Sequence, residues 1–221
     1  MLDLSDLENV GLMRFENCQL GNDPGNSLLK AAGKRVVNSR NGPFSVVSNT
    51  YDTANPLPAS GFLDFHTDGL YCQTIPDVVL FYCEDPGDDD CSTVLSDTRA
   101  VIERLKERGL FEAYGQLQVA YQFDQSGSRA VPIIAPHPLT GQPIIHIAGN
   151  STTSVTSEQS PLMEAIKDIH CLLEESIVSE HKWEQGDLLV FDNHSFVHRR
   201  QRMPVDVRRR LIRLWLNYDN E

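Results

Sequence analysis

The chain has no apolar run long enough to cross a bilayer, so no membrane-spanning helix is expected. Its opening stretch, Met1 to Val10, is acidic and lacks the basic-then-apolar layout of a secretory signal, and a cytoplasmic location is expected. No cysteine pair has C-x-x-C spacing. The five cysteines, at 18, 72, 83, 91 and 171, are an odd number and read as thiols in a reducing compartment. Basic residues are scarce: 19 Lys and Arg stand against 31 Asp and Glu, a formal charge of −12. That imbalance argues against nucleic acid and anionic membrane as partners, because both would repel the chain. Repeats and low-complexity linkers are also missing, so one domain over 1–221 is expected. Asn150-Ser151-Thr152 matches a glycosylation acceptor, but without a secretory signal it reads as chance.

What is present is a series of short apolar runs between turn signals. The turns are Gly21 to Gly25, Asn55 to Pro58, Asp85 to Asp90 and Asp124 to Ser128. The acidic run Asp88-Asp89-Asp90 lacks the ligand spacing and glycine of a calcium loop and reads as a solvated turn. Val78 to Cys83, Leu117 to Phe123, Val131 to Ala135, Pro143 to Ile147, Asp187 to Phe191 and Leu211 to Leu216 are rich in Val, Ile, Tyr and Phe, which predicts strands. Asp97 can cap a helix over Thr98 to Lys106. Ser160-Pro161 opens a second helix, whose apolar stripe runs from Leu162 to Leu173. Many strands and few helices predict a β-barrel or sandwich with helical flanks. The elements do not alternate as a parallel α/β sheet would require.

His66-Thr67-Asp68 is the first chemical signal. With 7 His and 31 acids in this length, roughly one His-x-acid triplet arises by chance, so its surroundings decide. If the backbone there is extended, residues two apart share a side and both can reach one ion; a helix would separate them. The second signal is Trp183 to Asn193, where Gly186-Asp187 turns into an apolar strand ending at Asp192-Asn193, with His198 in the turn that follows. His194 is a competing ligand; the spacing from Asp192-Asn193 favours His198. His137, His146, His170 and His181 have no partner at metal spacing and read as ordinary surface or core residues. The third signal is Arg208-Arg209-Arg210-Leu211-Ile212-Arg213. In a strand, Arg209, Leu211, Arg213 and Trp215 share one face. Two arginines buried beside a tryptophan need an anion, and guanidinium suits a carboxylate; a solvated basic edge is the competing reading.

Together these pieces resemble the TauD/TfdA family of Fe(II)- and 2-oxoglutarate-dependent dioxygenases, within the clavaminate-synthase-like superfamily. The matching segments are His66-Thr67-Asp68, Ser92-Thr93, His137-Pro138-Leu139-Thr140-Gly141, Trp183 to Asn193 with His198, and Arg209 with Arg213, spread over residues 60 to 216. The resemblance implies a mainly β fold, a double-stranded β-helix or jelly roll with flanking α-helices. It implies Fe(II) held by His66, Asp68 and His198, with 2-oxoglutarate and O2 as cosubstrates. Arg209, 11 residues after His198, matches the arginine that pairs with the distal carboxylate of 2-oxoglutarate, and Thr93, 25 residues after Asp68, matches the hydroxyl beside it. Arg213 matches a second arginine that touches the cosubstrate or an anionic group of the substrate. Gly69 and Tyr71 are expected to line the substrate pocket.

The implied activity is hydroxylation of an unactivated C–H bond in a small polar molecule, an amino acid or amino-acid-derived intermediate of specialised metabolism first, a sulfonate or aryloxy acid second. Desaturation, epoxidation and ring closure are alternatives. Halogenation is excluded by Asp68, because related halogenases replace that carboxylate to admit chloride. A catalytically silent jelly roll that binds a ligand, and a metal-dependent isomerase, are the readings from other classes. Only 65 residues precede His66, short for the group, which implies a more open pocket or one completed by a second subunit of a homo-oligomer.

Overall fold

Alternation of side chains along the strands explains most of the architecture. The computed structural model describes residues 7–39, 42–48, 63–87, 92–124, 127–148, 161–201 and 209–218. The expected turn at Asn55 to Pro58, the acidic run Asp88 to Asp90, Cys91, the Asn150 triplet, Ser160 and Arg208 lie outside these residues. In chain order, α1 (Leu7–Val10) leads into β1 (Leu12–Phe15). Next comes α2 (Pro24–Ala32), which the turn reading of Gly21 to Gly25 missed. Those turn residues are its start: the Asp23 carboxylate accepts the Asn26 N–H at 3.1 Å and Pro24 sits in the first turn, the ordinary chemistry of a helix N-terminus.

The chain continues through β2 (Val36–Val37), β3 (Ser45–Ser48), β4 (Leu63–His66), β5 (Val78–Asp85) and β6 (Thr93–Asp97). Asp97 caps α3 (Thr98–Glu107) as expected, accepting the Arg99 N–H at 2.9 Å. After α4 (Phe111–Gly115) follow β7 (Gln118–Asp124), β8 (Gly127–Pro132), β9 (Ile134–Pro136) and β10 (Pro143–Ile145). The run expected as a single strand, Val131 to Ala135, is therefore split between two. Pro132 has no N–H to continue the ladder, and the Ile133 N–H turns to the Leu117 carbonyl. The last elements are α5 (Pro161–Glu174), β11 (Ile177–His181), β12 (Leu188–Asp192), β13 (Phe196–Arg200) and β14 (Arg210–Leu216). The fold is thus mainly β, and every strand pairing among the described residues is antiparallel. No helix among the described residues is long and apolar enough to cross a membrane.

Two sheets carry the structure. The larger runs β1-β12-β5-β14-β2, with β3 also on β14; the smaller runs β11-β6-β13-β4. Val79, Phe81, Cys83, Phe191, Leu211 and Trp215 of the larger sheet pack with Leu95 and Phe196 of the smaller in one apolar layer. The opposite face of the larger sheet, Val78, Leu80, Tyr82, Val190 and Leu214 among others, is covered by Leu28 and Ala32 of α2. The outer face of the smaller sheet, Phe65, Val94 and Val197, lies under Val101, Ile102 and Leu105 of α3 and Ala165, Ile169 and Leu172 of α5. Each fully buried Leu or Ile here contributes about 1.5–3 kcal/mol. Because β5 and β12 are buried on both faces, they read as unbroken apolar runs and were legible as strands.

Gly186 sets the entry of β12. Its φ is +88°, and an added Cβ would lie 3.2 Å from the backbones of Asn17 and Cys18. Its carbonyl accepts the Cys18 N–H and its own N–H reaches the Cys83 carbonyl. Gly186→Ala is expected to lower stability by about 1–3 kcal/mol in chemical denaturation; an unchanged midpoint would show that the turn tolerates a side chain.

Candidate metal centre

β4 and β13 are antiparallel neighbours with His66 directly opposite His198, and the two imidazole centroids are 4.1 Å apart. His198 therefore lies in the middle of a strand, not in the expected turn. Residues 193–195 form the turn, and Phe196, His198 and Arg200 alternate onto the face that meets the larger sheet. β4 ends at His66 and the chain turns there. The Thr67 N–H bonds the Ile147 carbonyl. Asn193 holds the next residue from both sides: its Oδ1 accepts the Asp68 N–H at 2.9 Å, and its Nδ2 donates to the Asp68 carbonyl at 3.0 Å and to Pro76 at 2.8 Å. Gly69 follows with φ +69°, so close to Pro76 that an added Cβ would lie 2.5 Å from its ring. These constraints return the Asp68 carboxylate towards the histidines. One ligand atom from each of His66, Asp68 and His198 lies within 4.8 Å of the others.

The protonation states suit a cation. His66 Nδ1 is 2.8 Å from the Asp64 carbonyl, which can only accept, so Nδ1 carries a proton and Nε2 is the nitrogen turned to the cluster. Nε2 lies 3.5 Å from Asp68 Oδ1. Burial, reinforced by His66 alongside, pushes the His198 imidazole well below its ordinary range, and its Nδ1 is buried with no hydrogen-bond partner among the described residues. Burial alone would raise the Asp68 carboxyl. The Arg213 guanidinium outweighs it and holds the carboxyl well below the usual carboxylate range. A neutral His198 imidazole and an ionised carboxylate are forms that bind a divalent metal, and two histidines with one carboxylate are a ligand set of non-heme Fe(II), so the residues present fit Fe(II).

Arg213 occupies the inner face of β14 as parity predicted. Its Nη1 is 3.1 Å from each Asp68 oxygen and its Nε donates to Ser45 Oγ at 3.2 Å. The anion demanded by this arginine is thus supplied by the protein itself. Trp215, two residues on, donates its indole N–H to Asp68 Oδ2 at 2.9 Å. Arg209 is 3% exposed, buried one strand repeat before Leu211, and its charge partly offsets the effect of burial and Asp187 on the Cys83 thiol, which is pushed up to about 12. Thr93 is buried on β6, and its Oγ1 accepts the Trp183 indole N–H at 3.0 Å. Tyr71 is half-buried with its ring 6.0 Å from that of Trp215.

Sequence reading missed Trp183, Trp215 and Asn193 as parts of this site. All three stood inside segments already singled out, but nothing in a sequence shows an indole N–H aimed at a residue 90 or 147 positions away. The competing His194 bonds Asp77 at 2.9 Å and lies outside the cluster. His137 donates to Asp192 at 2.8 Å while the N–H groups of Leu139 and Thr140 point at its other nitrogen, so the His137 to Gly141 segment secures the end of β12.

An antiparallel β fold with two histidines and a carboxylate gathered between its sheets is the arrangement of non-heme iron oxygenases. The chain belongs to the TauD/TfdA dioxygenase family: residues 6–215 match the family described as "Taurine catabolism dioxygenase TauD, TfdA family". It is similar to tyrosine isonitrile desaturase of Pseudomonas aeruginosa, 27% identical over 175 residues, 68% of this chain and 59% of that one. It is also similar to tyrosine isonitrile desaturase of Erwinia amylovora, 26% identical over 196 residues, 79% of this chain and 67% of that one. The chain therefore spans roughly three-fifths to two-thirds of the length of these relatives. In fold it resembles PvcB, an Fe, α-ketoglutarate-dependent oxygenase from an isonitrile synthetic pathway, with a TM-score of 0.72 and 22% identity over 98% of this chain and 81% of that one.

Acid should destabilise the metal-free protein through His198. The unfolded chain takes up this proton below about pH 6.5, whereas the folded chain keeps the imidazole neutral to lower pH. Unfolding then gains a proton, so the melting temperature is expected to fall as pH drops below about 6.5, and less steeply in His198→Gln. Equal slopes for the two proteins would contradict the depressed imidazole.

Proposed function

We propose that this chain is an Fe(II)- and 2-oxoglutarate-dependent oxygenase that takes hydrogen from a C–H bond of a small carboxylate-bearing molecule derived from an amino acid. The observation that carries the reading is the cluster of His66, Asp68 and His198, facing the interior of a fold that belongs to this family. We take the two sheets as the halves of a double-stranded β-helix, a reading supported by their antiparallel pairing and the apolar layer between them. His66, Asp68 and His198 hold the metal, and with O2 and 2-oxoglutarate the bound iron supplies an oxidant strong enough for an unactivated C–H bond, with succinate and CO2 as coproducts.

The residues divide the remaining work. Arg209 brings a permanent charge into the interior, where a bidentate carboxylate contact is strongest. Thr93 receives the Trp183 N–H on its oxygen, so its own proton is available to donate to the same carboxylate. Arg213 and Trp215 hold Asp68 ionised and oriented. The packed layer around Phe81, Phe191 and Phe196 excludes water from the chemistry.

Desaturation is the outcome favoured over hydroxylation, because two of the proteins similar to this chain are tyrosine isonitrile desaturases. An aromatic amino-acid scaffold bearing a free carboxylate is then the first substrate class to test. Protein supplied with Fe(II), 2-oxoglutarate and O2 is expected to release succinate with a member of a panel of aromatic amino acids and their isonitriles. The product should lack two hydrogens; a product carrying an added oxygen would restore hydroxylation. No succinate with any member, or turnover without O2, would sink the oxygenase reading. His198→Ala should bring succinate to the protein-free rate. Arg209→Ala, which deletes a charge-assisted contact, should raise the KM for 2-oxoglutarate by about tenfold to a hundredfold.

A further inference from the structure

The two oxygens of the Asp68 carboxylate have different surroundings. Oδ1 faces the imidazoles, 3.5 Å from His66 Nε2. Oδ2 accepts the Trp215 indole N–H at 2.9 Å, and Arg213 Nη1 reaches both oxygens at 3.1 Å. The indole cannot swing away, since Trp215 is 2% exposed and the Arg213 guanidinium lies over its ring at 4.7 Å. Asn193 fixes the Asp68 main chain on both sides. Rotating the carboxylate to present both oxygens to an ion would strip the buried indole N–H of its partner, a state that protein interiors avoid.

We propose that Trp215 is a positioning residue that occupies Oδ2, so that Asp68 offers a single oxygen to the metal. This rests on the assignment of His66, Asp68 and His198 as the iron ligands. The consequence is arithmetic in the coordination shell. Two imidazoles and one carboxylate oxygen fill one face and leave the other for a chelating 2-oxo acid and O2. A carboxylate bound through both oxygens would occupy the place O2 needs. Trp215 therefore preserves the open position without touching the metal.

The test uses the whole protein with Fe(II) and 2-oxoglutarate in the absence of O2, with nitric oxide as the O2 surrogate and electron paramagnetic resonance as the readout. Trp215→Phe keeps the packing and removes the donor; Trp215→His keeps a ring N–H at the corresponding position. The Phe variant is expected to retain iron and 2-oxoglutarate, seen by their charge-transfer absorbance, yet bind nitric oxide about tenfold more weakly, in line with losses seen when outer partners of a metal ligand are removed. The His variant should bind it as the parent does. Equal binding by the Phe variant and the parent, or equal losses in both variants, would overturn the proposal. In the parent alone, infrared difference spectra of protein carrying ¹³C-aspartate should show the symmetric and antisymmetric carboxylate stretches moving apart on addition of Fe(II). Their convergence would mean two-oxygen binding and overturn the proposal even if a variant fails to fold. A parent that takes up no Fe(II) would instead defeat the metal assignment itself.

Discussion

The contact between Asp68 and Arg213 is the constraint on which the interior depends. A carboxylate placed among apolar residues would ordinarily take up a proton, and a guanidinium alone there would be equally out of place. Set against each other at 3.1 Å, each makes the other tolerable. The pair keeps Asp68 anionic beside a layer built largely from phenylalanine, leucine and tryptophan. Everything that suits the cluster to a metal follows: the carboxylate is charged, the His198 imidazole is neutral, and the three residues meet where water is scarce. Removing one member of such a pair is far more damaging than never having had it, because the survivor is left as an uncompensated charge.

Much of this was legible in the sequence, and what was not has a physical reason. β5 and β12 were found because both faces are buried and the side chains are apolar without interruption. β6 and β13 were not, because their inner positions carry Thr93, His198 and Arg200, whose polar character breaks the hydrophobic signal. The residues that make the site therefore hid the strands that bear it. The metal-ligand candidates were still recognisable from spacing, since His66 and Asp68 are near neighbours and the Asp192-Asn193 pair indicated His198 rather than His194. Parity placed Arg209, Arg213 and Trp215 on one face, which the strand confirms for Arg213 and Trp215 through their contacts with Asp68. Which anion each arginine serves is a matter of distance across the fold, and that only coordinates supply.

Trp183 and Trp215, the two tryptophans of the chain, do parallel work. One directs its N–H to the Thr93 hydroxyl and the other to the Asp68 carboxylate. In both cases a rigid, bulky ring fills the interior while its single donor fixes the direction of a smaller polar group. A flexible donor such as lysine would carry a charge and several rotamers into the same space. The indole settles an orientation with neither.

The cluster also has a mechanical side. His66 and His198 belong to the smaller sheet, whereas the groups that grip Asp68 come from the larger: Arg213 and Trp215 from β14, and Asn193 from the end of β12. An ion held by all three ligands is therefore a rivet through both layers. Breathing of one sheet against the other would stretch the ligand set, and filling the set would damp that breathing. Occupancy of the centre and the separation of the sheets would then be coupled.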